Sequence, residues 1–573
     1  TEPGMVSNLL NGWSPGFPPG LVLMCAGLLL PFFHGLIRKI LVLAAPIITL
    51  AVVWAVGTDN NLALQFLDYK LYPVSGNGYG LVFATIFSIM AFVGGLYALN
   101  QARVVELAAG FVYAGAAIGV TFSGDLISLF IFWELMALGS TLVIWSAGTE
   151  KAWSASFRYL LIHLLGGVIL MSGITLRVLE TNSIAFTAMQ PDNLANILIL
   201  AGFLLNAGAP PLSAWIADAY PEASPSGMVF LSAFTTKTAV FTLLIGFPGA
   251  EILIYIGLYM VFYGIIYALL ENDMRRILAY SIVNQVGFMV CAIGIGTELA
   301  LTGAAAHAFA HIIYKALLIM SAGSVLMMTG KRKCTEVGGL IQTMPFTAVN
   351  GIIGALAISA FPFTSGFVTK SLETAAAADQ GLVIVWFCLM AASAGVFLHA
   401  GIKFPWFVFF QKDSGLRPPE SPRNMQIAMW IFSFLCIAIG LFPHTFYQIL
   451  PVPPEYQAYT FSHLVSQFQL LLFAGLAFFV LLPMMKRTLT ISLDFDWFYR
   501  RFLRIVASEF TVKTGAAGNM VENGLRIKVE RFIKRLYKIH GPYGVLARTW
   551  PSGGMVLWVS VMLASIIIFS ALF

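Results

Sequence analysis

Charge is what this sequence has least of. Only 10% of its 573 residues are Asp, Glu, Lys or Arg, whereas 59% are hydrophobic; a water-soluble domain carries about 25% charged residues. Mean hydropathy is +0.86. So few charges cannot hydrate a surface of this size, which excludes a soluble enzyme, a disordered chain and a fibrous protein. Cysteine is also sparse. Cys25, Cys291, Cys334, Cys388 and Cys436 show no C-x-x-C spacing, and four of them lie inside apolar runs. They read as small buried side chains, which excludes a disulfide scaffold and disfavours iron–sulfur or other metal ligation. A Gly-rich phosphate loop, a haem motif and a flavin fingerprint are all missing, so no cofactor is expected. The N-terminus lacks a basic segment followed by a cleavage site, and the first apolar run is therefore expected to be a retained span.

What the sequence does have is a series of apolar runs of about 17 to 25 residues, each long enough to cross a bilayer as a helix. Roughly 14 to 16 occur, from one near Gly20 to a last at Met555–Phe573. Unbroken runs specify helices and not the alternating strands of a barrel. The expected fold is therefore all-α and polytopic. Basic residues set an orientation. With the N-terminus outside, Arg38, Lys39, Arg103, Lys151, Arg158, Arg275, Arg276, Lys331, Arg332, Lys333, Lys412, Arg417, Arg423, Lys486 and Arg487 fall at cytoplasmic ends, and only Lys70 and Arg177 fall outside. A bacterial inner (cytoplasmic) membrane is the expected location.

Two runs are interrupted, at Asn206-Ala-Gly208-Ala-Pro210-Pro211-Leu-Ser213 and at Phe361-Pro362-Phe-Thr-Ser365-Gly366-Phe367. Proline removes a backbone donor, and unwound backbone at membrane depth must line water or protein. Interrupted spans in corresponding places of two halves point to an inverted-repeat transporter site; a plain packing kink is the simpler alternative.

Ionisable residues within spans are costly unless they pair or meet water, so each is a functional candidate. Glu134 stands in Phe132-Trp133-Glu134-Leu-Met136 and Lys237 in Thr235-Thr236-Lys237-Thr. His307, His311 and Lys315 recur every four residues and share one helix face. Lys370 follows the second interruption, and Lys403 sits in a long apolar run, where snorkelling to the interface is an equal alternative. Two histidines could ligate a metal, but Lys315 beside them repels a cation, so no metal site is expected. The chemistry suits a proton relay. Histidine titrates near neutrality, and desolvation brings a lysine towards that range.

These segments resemble the antiporter-like family shared by Mrp-type cation/proton antiporters, respiratory complex I and membrane-bound hydrogenases. The resemblance rests on Phe132-Trp-Glu134-Leu-Met136, on Asp273-Met-Arg275-Arg276-Ile-Leu-Ala-Tyr-Ser281, on His307-x3-His311-x2-Tyr314-Lys315-Ala-Leu-Leu, and on Gly366-Phe-Val-Thr-Lys370. It covers about Asp125 to Lys370 in the family's order and looks closest to the D-type subunits of Mrp-type antiporters. It implies a 14-helix core, two inverted five-helix repeats each with a broken helix, and a polar axis along the membrane midplane. Residue by residue, it makes Glu134 a carboxylate that modulates a neighbouring lysine, Lys237 the lysine of the eighth helix, His307 and His311 a central relay, and Lys370 a lysine near the exit. The implied division is 1–103 for N-terminal helices, 104–250 and 251–412 for the repeats, 413–490 for C-terminal core helices, 491–553 for a lateral helix and 554–573 for a final span.

One departure stands out. The family usually has K-A-G-x-x-P-L-H-x-W-L at the first break, and here Asn206 and Ser213 replace the lysine and histidine. Asparagine does not exchange a proton near neutrality. Glu134 must then face Lys237, Arg158, His163, water or a cation, and the first-half proton path is expected to be altered or closed. The candidate set is thus Glu134, Lys237, His307, His311, Lys315 and Lys370, with Asn206, His163, Arg158 and Lys403 as secondary members.

Near the C-terminus, Asp494 to His540 is basic and aromatic, with Val521, Leu525, Phe532 and Leu536 at helical spacing between Lys528, Arg531, Lys534 and Arg535. This predicts an amphipathic helix on a membrane surface or along neighbouring subunits, with Gly515 and Gly518 as a point where it could divide. Membrane phosphates account for the charge, so nucleic acid is not an expected partner. The expected function is a subunit of a hetero-oligomeric Mrp-type complex exchanging protons for Na+. The alternatives are a proton-pumping subunit of a complex I-like or hydrogenase-linked redox complex, part of a proton-coupled inorganic-carbon uptake complex, and a purely structural subunit.

Overall fold

The computed structural model describes residues 16–483, 494–541 and 552–572. It comprises two compact units, Thr1–Asp496 and Trp497–Phe573. Lys486 and Arg487, and with them the junction of the 413–490 and 491–553 segments, lie outside the described residues. Thirteen described helices are long and apolar enough to cross a membrane, and three shorter apolar ones accompany them. The protein is all-α and polytopic.

The first unit opens with α1 (Gly20–Leu29), α2 (Gly35–Val56) and α3 (Gly78–Ala98). Between α2 and α3 lies a feature that hydropathy did not anticipate, an antiparallel hairpin of β1 (Asn61–Phe66) and β2 (Tyr69–Ser75). Leu67, at φ 52°, makes its turn. Then come α4 (Val104–Phe122), α5 (Leu126–Trp145) and α6 (Glu150–Thr181), and later α11 (Ile252–Leu270), α12 (Met274–Ile295) and α13 (Glu298–Thr329).

These two sets of three are copies of one another. Val104, Leu126 and Glu150 start helices 148 positions before Ile252, Met274 and Glu298, and the ends of α4/α11 and α6/α13 keep the same spacing. The caps repeat too. Asp125 accepts from the N–H groups of Ile127 and Ser128, as Asp273 does from Arg275 and Arg276. Thr149 and Thr297 cap α6 and α13, each preceded by a glycine at φ 73° or 74°, a left-handed conformation that glycine takes without strain. Leu126 N–H donates to Ile184 and Met274 N–H to Arg332, at 2.8 and 2.9 Å.

A broken helix follows each set. In the first, α7 (Leu194–Ala207) stops at Gly208 and short α8 (Trp215–Ala219) resumes beyond the prolines. Next, α9 (Pro225–Leu231) and α10 (Thr235–Gly246) complete one span. In the second, α14 (Pro345–Ile358) and α15 (Ser365–Asp379) flank a turn in which Ala360 and Phe363 take positive φ. Then α16 (Val383–Val396) runs on through two π-helical segments to Phe410. In each half, a three-helix set, a broken helix and one further long helix thus follow in the same order. After these come α17 (Arg423–Leu441), α18 (Pro443–Tyr447) and α19 (Phe461–Leu481). The centre is α12, whose spanning window is 100% buried, with α9–α10 at 94% beside it.

The second unit contains α20 (Leu503–His540) and α21 (Ser552–Leu572). The expected amphipathic helix is not divided at Gly515 or Gly518: α20 runs through both. Local hydrogen bonding outweighs the modest helix penalty of two glycines, about 1 kcal/mol each.

Candidate proton-handling site

Polar residues that expose little or nothing gather where α10, α12, α13 and α15 meet. Lys237, in the first turn of α10, donates from Nζ to the Ser232 carbonyl at 2.5 Å and to Thr236 Oγ1 at 3.1 Å. Ser232 caps the end of α9, so this ammonium sits at a helix C-terminus, the negative end of the peptide dipoles. Lys370 repeats the arrangement. Its Nζ donates at 2.6 Å to the carbonyl of Ile358, the last residue of α14. Among the described residues, neither lysine has a carboxylate within ion-pair distance. A carbonyl stabilises the ammonium and does not take its proton, so either lysine can release a proton elsewhere and keep its place.

Between them stands the His307/His311/Lys315 face of α13. Lys315 donates to Ser281 Oγ at 2.8 Å. His307 is the best-connected group. Its Nδ1 lies 2.9 and 3.0 Å from the two oxygens of Glu373, and its Nε2 lies 2.8 Å from the Tyr314 hydroxyl. That hydroxyl also lies 3.0 Å from Gln285 Oε1, and the Gln285 amide donates to Asn284. The Tyr314 hydroxyl has one proton and two acceptors in reach, so the imidazole admits two arrangements. With Nδ1–H donating to the carboxylate, Nε2 accepts from Tyr314. With the carboxyl group protonated and donating to Nδ1, Nε2–H donates to Tyr314, which turns to Gln285. The second arrangement holds one proton more than the first: a proton delivered to Nε2, with the Nδ1 proton passing to the carboxylate, converts the first into the second. His311 is fully buried with neither ring nitrogen hydrogen-bonded to protein. Lys237, Lys315, His307 and Lys370 are all within electrostatic range of it.

The structure therefore brings together five of the six principal candidates: Lys237, His307, His311, Lys315 and Lys370. Glu134 stands apart. Its Oε1 is buried without a hydrogen-bond partner, and it fills the space over Gly167, where an added Cβ would lie 2.1 Å away. Gly167 holds on α6 the position that Lys315 holds on α13. The same interhelical space thus receives a carboxylate in the first repeat and an ammonium in the second.

None of the sequence-named basic partners reaches Glu134. Arg158 is committed to Asp218 in a bidentate pair at 2.7 and 2.8 Å. His163 stacks on Tyr159 at 3.9 Å and bonds its backbone carbonyl. Lys237 is held as described. Asn206 is buried with both amide atoms unpartnered. Lys403 donates to the carbonyls of Ala268, Leu269 and Glu271 at 2.6–3.1 Å and so closes the end of α11; its task is capping, away from the cluster.

Sequence reasoning missed Glu373. It lies three positions after Lys370 on the same helix face and is fully buried. It also missed Glu106 on α4, which accepts from Ser224 at 2.8 Å and from Ser226. Beside it, Arg275 donates to the carbonyls of Pro221, Ala223 and Ser224. That group ties α4, the α8–α9 connection and α12 together.

Residues 123–397 match the family described as NADH:quinone oxidoreductase/Mrp antiporter, TM. These residues are thus similar to the membrane unit that this family shares. The D-type subunit of the Na(+)/H(+) antiporter of Alkalihalophilus pseudofirmus is 31% identical over 48% of this chain and 59% of its own length. Hydrogenase-4 component B of Escherichia coli is 26% identical over 62% of this chain and 60% of its own. The matches thus span about three-fifths of those two antiporter-like relatives. Two solved structures share the fold. A chain of the membrane-bound sulfane sulfur reductase, an archaeal respiratory membrane complex, superposes at TM-score 0.71 with 21% identity over 97% of this chain and 100% of its own. A chain of the Mrp complex from Dietzia sp. DQ12-45-1b superposes at 0.72 with 18% identity over 96% and 62%.

Proposed function

We propose that this chain is the ion-translocating subunit of a hetero-oligomeric Mrp-type Na+/H+ antiporter, carrying protons between Lys237 and Lys370. The observation that supports this best is the buried His307–Glu373 pair, set between two lysines whose ammonium groups rest on carbonyls. In this reading a proton arriving from Lys237 passes by way of His311 to His307. It crosses the imidazole to Glu373 and reaches Lys370 one turn away. Lys315 tunes the field at His311. The five-helix repeats are taken to be 104–250 and 251–412, in a bacterial inner membrane with the N-terminus outside.

The first half is read as altered or closed to protons, because Asn206 stands where the family usually has a lysine. The test is Na+-dependent proton exchange in vesicles carrying the whole complex. Lys237→Ala is expected to abolish exchange and Glu134→Ala to reduce it; two variants indistinguishable from the unaltered complex would contradict the reading. Asn206→Lys should change the pH dependence, and an unchanged profile would count against its proximity to Glu134.

A second reading, a proton-pumping subunit of a respiratory redox complex, is favoured by the similarity over the whole length of a chain from such a complex. Purification with redox subunits and proton transport that follows electron transfer would select it.

A further inference from the structure

Lys370 borders a cavity of about 20 Å³, sized for one water molecule, whose polar lining includes Ser371, Thr374, Ser393 and two residues of α19, His463 and Gln467. Helix α19 lies outside both repeats and places these two polar groups four residues apart on one face. Both hold defined positions. Gln467 is buried and donates to the carbonyl of Ala360 at 3.0 Å, inside the turn of the broken helix. His463 is half-buried near the start of α19, stacks on Phe367 at 4.7 Å, and has Nδ1 2.7 Å from the carbonyl of Ala458. A carbonyl only accepts, so Nδ1 carries the hydrogen, and Nε2 of the neutral ring is left as a base.

We infer that α19 supplies the outlet of the second-half proton path, with His463 as the group that accepts a proton from Lys370 through the cavity. This rests on the proposed transport role and adds a residue and an element to it. In the step, Lys370 ammonium releases a proton to cavity water and becomes an amine still held near Ile358. The water passes a proton to His463 Nε2, and the resulting imidazolium releases it to the aqueous phase at the start of α19. Gln467 keeps the turn, and hence Lys370, in place beside the cavity. Other titratable groups nearby include Tyr456, which bonds Ser371 of the cavity lining, Tyr459, which packs on the same Phe367 ring, and Glu373, one turn beyond Lys370.

The test uses the whole complex in vesicles. His463→Gln retains an amide donor for the Ala458 carbonyl but no base. It should slow proton exchange several-fold, and added imidazole should restore most of the rate, a response that lost packing would not give. In addition, His463→Cys should react with a membrane-impermeant thiol reagent beyond the labelling of the unaltered complex. An unchanged rate in His463→Gln, a deficit that imidazole leaves untouched, or no added labelling of His463→Cys would each overturn the inference. The transport reading fails in a different way. There Lys370→Ala would exchange protons like the unaltered complex and take this inference with it, whereas failure of the inference alone leaves Lys370→Ala inactive and His463→Gln unimpaired.

Discussion

At the scale of the residue, what distinguishes this site is how its charges are held. An ammonium buried at a helix C-terminus is stabilised by dipoles that do not titrate, so its proton can leave without exposing a paired carboxylate. The only buried carboxylate in direct contact with the cluster, among the described residues, is Glu373, and it faces an imidazole. Glu373→Gln keeps the shape and a hydrogen-bond acceptor for His307 but cannot be protonated. It is expected to stop proton exchange with little effect on thermal stability. Glu373→Ala also leaves a buried imidazole nitrogen unpaired, at a cost of about 1–3 kcal/mol, and should lower the Tm of the purified complex. Equal activity in Glu373→Gln and the unaltered complex would remove the pair from the route. Glu134 offers a steric test: Gly167→Ala places a methyl group against its Oε1. The carboxylate, being the far end of a flexible side chain, should swing away, so exchange changes while Tm moves little.

The sequence made the lysines and histidines visible because a charge in an apolar run has few innocent explanations. Glu373 escaped because its significance depends on what lies across the helix interface. Lys403 shows the converse. Its position in an apolar run flagged it, yet three backbone carbonyls at the end of α11 account for it.

At the scale of the element, the spans were legible from hydropathy, and the two breaks from proline and glycine. The duplication was legible only in the paired breaks and through the family resemblance. Its two copies have diverged in side chains and keep what backbone geometry needs: helix lengths, Asp and Thr caps, and a glycine in the left-handed region before α6 and α13. The hairpin was hidden because β1 and β2 mix polar and apolar residues without a clear alternation. Asp125 carries both the α5 cap and the hairpin, since one of its oxygens also accepts from Tyr72 N–H at 2.6 Å. Asp125→Ala should cost about 1 kcal/mol as a lost cap and quicken proteolytic cleavage between Asn61 and Ser75; unchanged cleavage would show that other contacts secure the hairpin. At the second break, a Cβ on Gly366 would meet the Ala357 carbonyl at 1.8 Å. Backbone cannot yield as a side chain tip does, and overpacking costs roughly 1–3 kcal/mol. Gly366→Ala should therefore reduce the amount of folded protein, measured as yield and Tm in detergent.

At the scale of the whole molecule, two copies of a three-helix set, each followed by a broken helix, carry different polar groups. The second copy, with Lys237 from the end of the first half, holds a linked set of titratable groups. The first retains a carboxylate without a basic partner and an asparagine without a hydrogen bond. This asymmetry is what the account must explain, and it does so by assigning proton movement to the Lys237–Lys370 segment. The most direct measurement is proton exchange by the whole complex in sealed vesicles, comparing the unaltered chain with Lys237→Ala and with His307→Ala. The account predicts that both variants assemble in normal amounts and exchange no protons. Assembled variants that exchange at the unaltered rate would contradict it.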